Sequence, residues 1–260
     1  MDKYFELYKE TKDKVSFPSE HAPYDWFDAD GLCMEEWNIY GQLLLGHPHE
    51  LSNSINELGR YVYTVIVWNE AIQNLTIKEK HEALIHHVRP IATLALLLPY
   101  SIRSRFIFSI THLSHQANQL INQNWQDVFP DEDEVYFKNA DEFCKHWKSY
   151  KKLKPALEKI ANKTFQEKSN NFRNTFAHRY SPGIEIGITN FTIRKNKPNG
   201  GWQYAIGGVP PLPLQTIGEI TLEQHKLCLQ AYGYYQELVL EQINAYKVHN
   251  TRTKVVRRPD

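Results

Sequence analysis

Between residues 101 and 124 the apolar side chains Ile102, Phe106, Ile110, Leu113, Ala117, Leu120 and Ile121 recur at intervals of three and four. At about 100° per residue this spacing lines one side of a helix with hydrocarbon. A helix with a single apolar face must be covered by other elements, so the chain is committed to a multi-helix core. The same periodicity predicts helices over residues 32–45 and 50–75, and a third from residue 78 that Pro90 and Pro99 bend or end. The acidic run from Asp131 to Glu134 marks a helix start, where negative charge complements the backbone dipole, and that helix reaches about residue 150. A further stripe, Leu153, Leu157, Ile160, Thr164, Phe165, Phe172 and Phe176, predicts one helix over 155–179 with a polar gap at Lys168 and Ser169.

The period then changes from helical to alternating. Ile184, Ile186, Ile188, Phe191 and Ile193 are answered by residues 202–206 across Pro198-Asn199-Gly200-Gly201, a strong turn signal, which predicts a β-hairpin over about 184–207. A proline-rich linker, 209–214, leads to a last helix that Thr221 and Gln224 open as a capping box and that runs to about residue 248. The reading is mainly α: an up-and-down helical bundle with a β-hairpin inserted before the last helix. Residues 1–100 form an N-terminal helical region packed on the core, 101–249 the bundle, and 250–260 a basic tail without fixed structure that carries Arg252, Lys254, Arg257 and Arg258.

Composition narrows the function classes. With 42% hydrophobic and 23% charged residues among 260, the chain is an ordinary globular one rather than a disordered one. Lys plus Arg balance Asp plus Glu at 30 each, so there is no global positive field, and any nucleic-acid contact has to come from a local patch. Cys33, Cys144 and Cys228 are odd in number and far apart, which points to reduced thiols rather than a disulfide or zinc framework. The first fourteen residues have no apolar secretory core, and the apolar run 91–98 is far short of a membrane span. The expected location is the cytoplasm, with no membrane partner, and the N-x-T sequons at Asn74, Asn162 and Asn190 then carry no weight.

The chemistry-bearing stretch is Asn171-Phe172-Arg173-Asn174-Thr175-Phe176-Ala177-His178-Arg179, at the expected end of a helix before Ser181-Pro182-Gly183. Arginine offers a planar fork of donors that matches a phosphate, and histidine can exchange a proton near neutral pH. Four apart, Asn174 and His178 share a helix face; five apart, Arg173 and His178 point roughly 140° away from each other. A frayed helix end or a second copy of the chain is needed to bring them together.

Arginine, a polar residue, three more positions and histidine, here Arg173-Asn174-Thr175-Phe176-Ala177-His178, resembles the RxxxxH signature of HEPN domains. The resemblance covers roughly the C-terminal 150 residues. It implies an all-helical up-and-down bundle and a metal-independent endoribonuclease that needs no cofactor and dimerises so that two motifs line one cleft. On that resemblance Arg173, Asn174 and His178 are the catalytic residues; Lys168, Arg179 and Tyr180 beside them offer charge and an aromatic face, and are expected to contact the RNA. A toxin or defence role follows, with RNA as substrate, a homodimer as the working form, and an antitoxin or regulatory protein as a further partner. A non-catalytic HEPN-like module that binds RNA or protein is the alternative.

Other constellations are weaker. His81 and His86 in His81-Glu82-Ala83-Leu84-Ile85-His86 are five apart, not the four that a zinc-protease helix needs. The pairs His86–His87, His112–His115 and His47–His49 lack carboxylates at ligand spacing, so a metal site is not expected. Lys145, Lys148, Lys151, Lys152 and Lys154, together with Lys163, Lys168, Arg173 and Arg179, are interleaved with Trp147, Tyr150 and Tyr180, the mixture of charge and aromatic faces that single-stranded RNA binding uses; the alternative is that the lysines solvate an exposed helix pair. Pro210-Pro211-Leu212-Pro213 reads as a loop spacer.

Overall fold

The computed structural model describes residues 2–17, 20–27, 38–122, 124–130 and 134–256. It is mainly helical, at 67% helix, with a two-stranded antiparallel hairpin ahead of the last helix. In chain order the elements are α1 (Lys3–Lys12), α2 (Asn38–Ala71), α3 (Ile77–Ala83), a π turn (Leu84–Val88), α4 (Arg89–Ile121), α5 (Phe137–Cys144), α6 (Tyr150–Lys159), α7 (Lys163–Lys168), α8 (Phe172–His178), β1 (Thr192–Asn196), β2 (Trp202–Ile206) and α9 (Leu214–Val256). Cys33, part of the helix expected over 32–45, Asp131 to Asp133, and Arg257 and Arg258 lie outside the described residues. The helix expected from the acidic run begins only at Phe137, after Asn139 Oδ1 accepts the Tyr136 N–H at 3.0 Å.

Packing sorts the chain into two compact units. One comprises Met1–Ser19, Glu57–Pro99 and Ala161–His225; the other comprises Glu20–Asn56, Tyr100–Ile160 and Lys226–Asp260. Each takes segments from both sides of residue 100.

In the second unit the apolar stripe of residues 102–117 is buried: Ile102, Phe106, Ile110, Leu113 and Ala117 all lie in the core. Leu44, Leu51, Ile55, Tyr232, Tyr235 and Val239 of the same unit are buried too, with the Phe106 and Tyr235 rings 5.9 Å apart, and the tyrosine hydroxyls there are paired: Tyr232 with Ser52 at 2.7 Å, Tyr235 with Ser109 at 3.0 Å, Tyr40 with Gln242 at 2.9 Å. Pairing matters because a buried hydroxyl left without a partner costs about 1–3 kcal/mol.

In the first unit Asp2 caps α1 by accepting the Tyr4 N–H, and Tyr4, in turn, donates its hydroxyl to Glu82 at 2.5 Å. Tyr8 stacks on Trp68 and Trp68 on His87, whose Nε2 lies 2.6 Å from Asp2 Oδ2. That accounts for one of the adjacent histidines as a packing residue.

Pro90 and Pro99 do not end the helix that contains them. Ahead of Pro90 the ladder widens, and Arg89 N–H donates to Leu84 O, five residues back, so the helix continues through a π turn. Pro99 costs its helix about 3 kcal/mol, but burying each of Leu96, Ile102 and Phe106 returns about 1.5–3 kcal/mol, and burial wins. The resulting continuous stretch, Ile77–Ile121, is long and apolar enough by length and composition to cross a membrane: an 18-residue window within it has a mean hydropathy of 1.3, 39% of that window is buried in the protein, and a core helix passes the same test.

The last helix starts earlier and ends later than its sequence signals suggest. Leu214 and Ile217 are fully buried, the Leu214 N–H is capped by the Glu185 carboxylate at 2.8 Å, and Thr221 sits inside the helix with its hydroxyl bonded to Ile217 O. At the other end α9 runs to Val256 and takes in Arg252 and Lys254, which were expected in a tail.

Candidate functional site

The motif lies in the first unit, on a helix much shorter than expected. Three residues with positive φ, Ala161 (49°), Asn170 (52°) and Asn171 (53°), divide residues 150–178 into α6, α7 and α8. Asparagine enters the left-handed region more readily than most residues, so the Asn170-Asn171 doublet is a natural helix stop. Its geometry is fixed twice over. Asn171 N–H donates to Gln166 O at 2.7 Å, and Gln166 Nε2 donates back to Asn171 Oδ1, also at 2.7 Å. The polar gap at Lys168 and Ser169 therefore marks the end of α7, with Ser169 buried.

From this turn α8 rises for seven residues. Phe172 is buried at its base and stacks on Phe176 with ring centres 5.9 Å apart, which anchors the helix by one face. Arg173 is its second residue and His178 its last, and Arg173, Asn174 and His178 are all exposed. The backbone leaves the helix at Arg179, whose N–H bonds Thr175 O at 2.8 Å, and Arg179 and Tyr180 are exposed beyond it. Helical geometry keeps Asn174 and His178 on one face and turns Arg173 roughly 140° from His178.

The expected RNA contacts divide. Arg179 and Tyr180 continue the motif surface, Tyr180 at 78% exposure, whereas Lys168 forms an ion pair with Glu223 at 3.1 Å. The aromatic-basic cluster around residues 145–154 does not form as read: Trp147 and Tyr150 are buried, Lys152 pairs with Glu237 at 2.9 Å, and Lys154 pairs with Asp141 at 2.8 Å. Their rings face the core, so no base can stack there.

A feature the sequence reading passed over follows the motif directly. The hairpin forms, but over Thr192–Asn196 and Trp202–Ile206 only, with Ile184 and Thr189 each making a single bridge, to Leu212 and Val209. The alternation that predicts the hairpin says nothing of which side chains are exposed. Trp202, Tyr204 and Ile206 are 56%, 74% and 97% exposed. From Lys168 to Gly218 the chain carries six basic residues and one acid, Glu185, in a protein whose overall charge is zero. That local imbalance was legible in the sequence.

A pocket of about 490 Å³ in the same unit is lined by Ile66, Asn69, Glu70, Gln73, Leu214 and Glu219, among others. Its two carboxylates make it a poor seat for a phosphate. Among the described residues no group of three His, Cys, Asp or Glu is placed to hold a metal ion. Comparison with known proteins brings no match among family models, curated proteins or solved structures.

Proposed function

We propose that the protein is a metal-independent endoribonuclease of the HEPN type, with a HEPN-like bundle and a toxin or defence role in the cytoplasm. The observation that carries this reading is the joint exposure of Arg173, Asn174 and His178 on one short helix, within a stretch from Lys168 to Gly218 that holds six Lys or Arg and one acid. Their chemistry suits RNA cleavage without a metal. The substrate's 2′-oxygen attacks phosphorus, its proton passes to a base, the P–O5′ bond breaks, and the departing 5′-oxygen takes a proton from an acid. The products are a 2′,3′-cyclic phosphate and a 5′-hydroxyl.

His178 serves as the proton-transfer group, Arg173 clamps the non-bridging phosphate oxygens as charge builds on the phosphorane, and Asn174 orients His178 or the phosphate. One neutral imidazole cannot be base and acid in the same step. Two copies of the chain across a two-fold axis supply two histidines and bring the diverging Arg173 and His178 of different chains into one cleft. An antitoxin or other regulatory protein would act by covering that cleft.

The test is cleavage of a single-stranded RNA by the purified protein and by His178→Ala and Arg173→Ala. A loss of about 10²-fold or more in each variant is expected, because a positioned acid or base and a positioned donor to the developing phosphorane charge each contribute about that much. Unchanged cleavage by His178→Ala removes the mechanism.

A non-catalytic HEPN-like module that binds RNA or protein is the second reading, favoured by the divergence of Arg173 and His178 within a single chain. It requires that expression of the protein is harmless to cells and that His178→Ala changes nothing. Toxicity relieved by His178→Ala selects the nuclease.

A further inference from the structure

We infer that the outer face of the β1–β2 hairpin is a stacking platform for single-stranded RNA. The register pairs Thr192 with Ile206, Arg194 with Tyr204 and Asn196 with Trp202, and directly paired residues project to the same side of a sheet. One face therefore presents Trp202, Tyr204 and Ile206 together with Thr192, Arg194 and Asn196, all exposed. The other face carries the half-buried Ile193 and Ala205. Large apolar side chains exposed singly are commonplace, but three in a row along one strand form a surface that marks a binding site.

Charge selects the occupant. The hairpin contains Arg194, Lys195 and Lys197 and no acidic residue, so a polyanion is favoured and an acid-free apolar partner gains nothing from those three charges. The Arg194 guanidinium lies 4.2 Å from the centre of the Trp202 ring, a diagonal cross-strand contact that holds a cation beside the aromatic surface. Aromatic faces flanked by cations fit unpaired bases on a phosphate backbone, since every base has a π-face, whereas in a duplex those faces are already stacked. The platform also continues from the motif. Asn190 Nδ2, just before β1, donates to Tyr180 O at 3.4 Å, which ties the base of the hairpin to the segment leaving α8. A strand lying on the hairpin is thereby led towards His178. The choice of RNA among polyanions rests on the proposed nuclease function; the stacking geometry does not.

The test is fluorescence anisotropy with a labelled single-stranded RNA 12-mer of mixed sequence, in the His178→Ala chain so that binding is read without cleavage. Trp202→Ala/Tyr204→Ala in that background is expected to weaken binding about 10-fold or more, and Trp202→Phe/Tyr204→Phe to retain affinity within about 3-fold, because stacking needs the ring and not its polar tip. A duplex of the same sequence should bind more weakly than the single strand. Affinity unchanged by the alanine pair overturns the inference, as does an equal loss with the phenylalanine pair, or no binding by the parent chain. A change in sedimentation behaviour with RNA affinity unaltered also overturns it, and assigns the face to a second copy of the chain or to another protein. Tighter binding of single-stranded DNA than of RNA overturns the choice of RNA. Failure of the nuclease reading is read separately, as absence of cleavage by the unmodified chain.

Discussion

Arg173 and His178 stand near opposite ends of the seven-residue helix α8, five positions apart, both exposed and directed roughly 140° from each other. A phosphate held by one cannot be reached by the other within the same chain unless the helix end unwinds. This spacing is what makes a two-copy site the economical arrangement.

Mixing therefore discriminates between shared and independent sites. If base and acid are His178 from two chains, a dimer with one His178→Ala chain is inactive. An equimolar, fully exchanged mixture of wild type and variant then retains about a quarter of the wild-type rate rather than a half, as random pairing in a two-fold dimer dictates. Initial rates of RNA cleavage after exchange give the answer, and a half-maximal rate rules out the shared site.

The turn ahead of α8 yields a second prediction. Asn171 has φ of 53° and exchanges two hydrogen bonds with Gln166. A β-branched residue pays about 1–2 kcal/mol in the left-handed region. Asn171→Val should thus lower stability in urea denaturation by at least that amount and impair cleavage by displacing Arg173. Asn171→Gly, free of the φ penalty but without the Gln166 side-chain hydrogen bond, should lose only about 0.5–1.5 kcal/mol, less than the valine variant. Equal stability of the two variants would show that the turn does not set the position of α8.

The same turn explains where sequence reading succeeded and where it stopped. The stripe from Ile102 to Ala117 is buried as its period requires, and Pro198-Asn199-Gly200-Gly201 does close a hairpin, because both signals are local. The break at Asn170-Asn171 was masked because Phe165 and Phe172 are seven apart, two helical turns. The apolar stripe keeps its phase across a backbone that has stopped being helical. The start of α9 was hidden for a different reason: its cap is the carboxylate of Glu185, 29 residues upstream, which no local pattern reveals. Of the candidate site, the helical conformation of residues 172–178 was legible, and so was the scarcity of acids from Lys168 to Gly218. The outward face of Trp202 and Tyr204 was not, since strict alternation says that one face is buried without saying which residues it spares.

Acid should destabilise the second unit over a defined window. Burial holds the His47 imidazole down to about 4, with the nearby His112 acting in the same direction, their ring centres 6.0 Å apart; burial also lowers His115, against the opposing pull of Asp127. Unfolded, these rings protonate near 6.5. The unfolded chain therefore binds more protons than the native one between about 6.5 and 4, so stability is complete above that window and declines as pH falls through it. The melting temperature should drop from pH 6.5 to 4, and His47→Gln should flatten the slope. An unchanged slope in His47→Gln would remove this histidine from the account.

Thiol labelling tests the core from the other side. Cys144 and Cys228 are fully buried, and burial pushes the Cys144 thiol up to about 12 and the Cys228 thiol above its ordinary range. Cys144 Sγ also sits 3.1 Å from Ser114 Oγ in the interior. Only a thiolate attacks a disulfide reagent, and neither group forms one at pH 8 while it stays buried. With Cys33 replaced by serine, no thiol should react with an aromatic disulfide reagent under native conditions, and both should react at once in denaturant. The slow native rate then reports opening of the core, and should rise in step with any variant that lowers the unfolding free energy. Rapid labelling of either cysteine in the folded protein would mean that the helices around Ile110 and Ala231 open locally, without global unfolding.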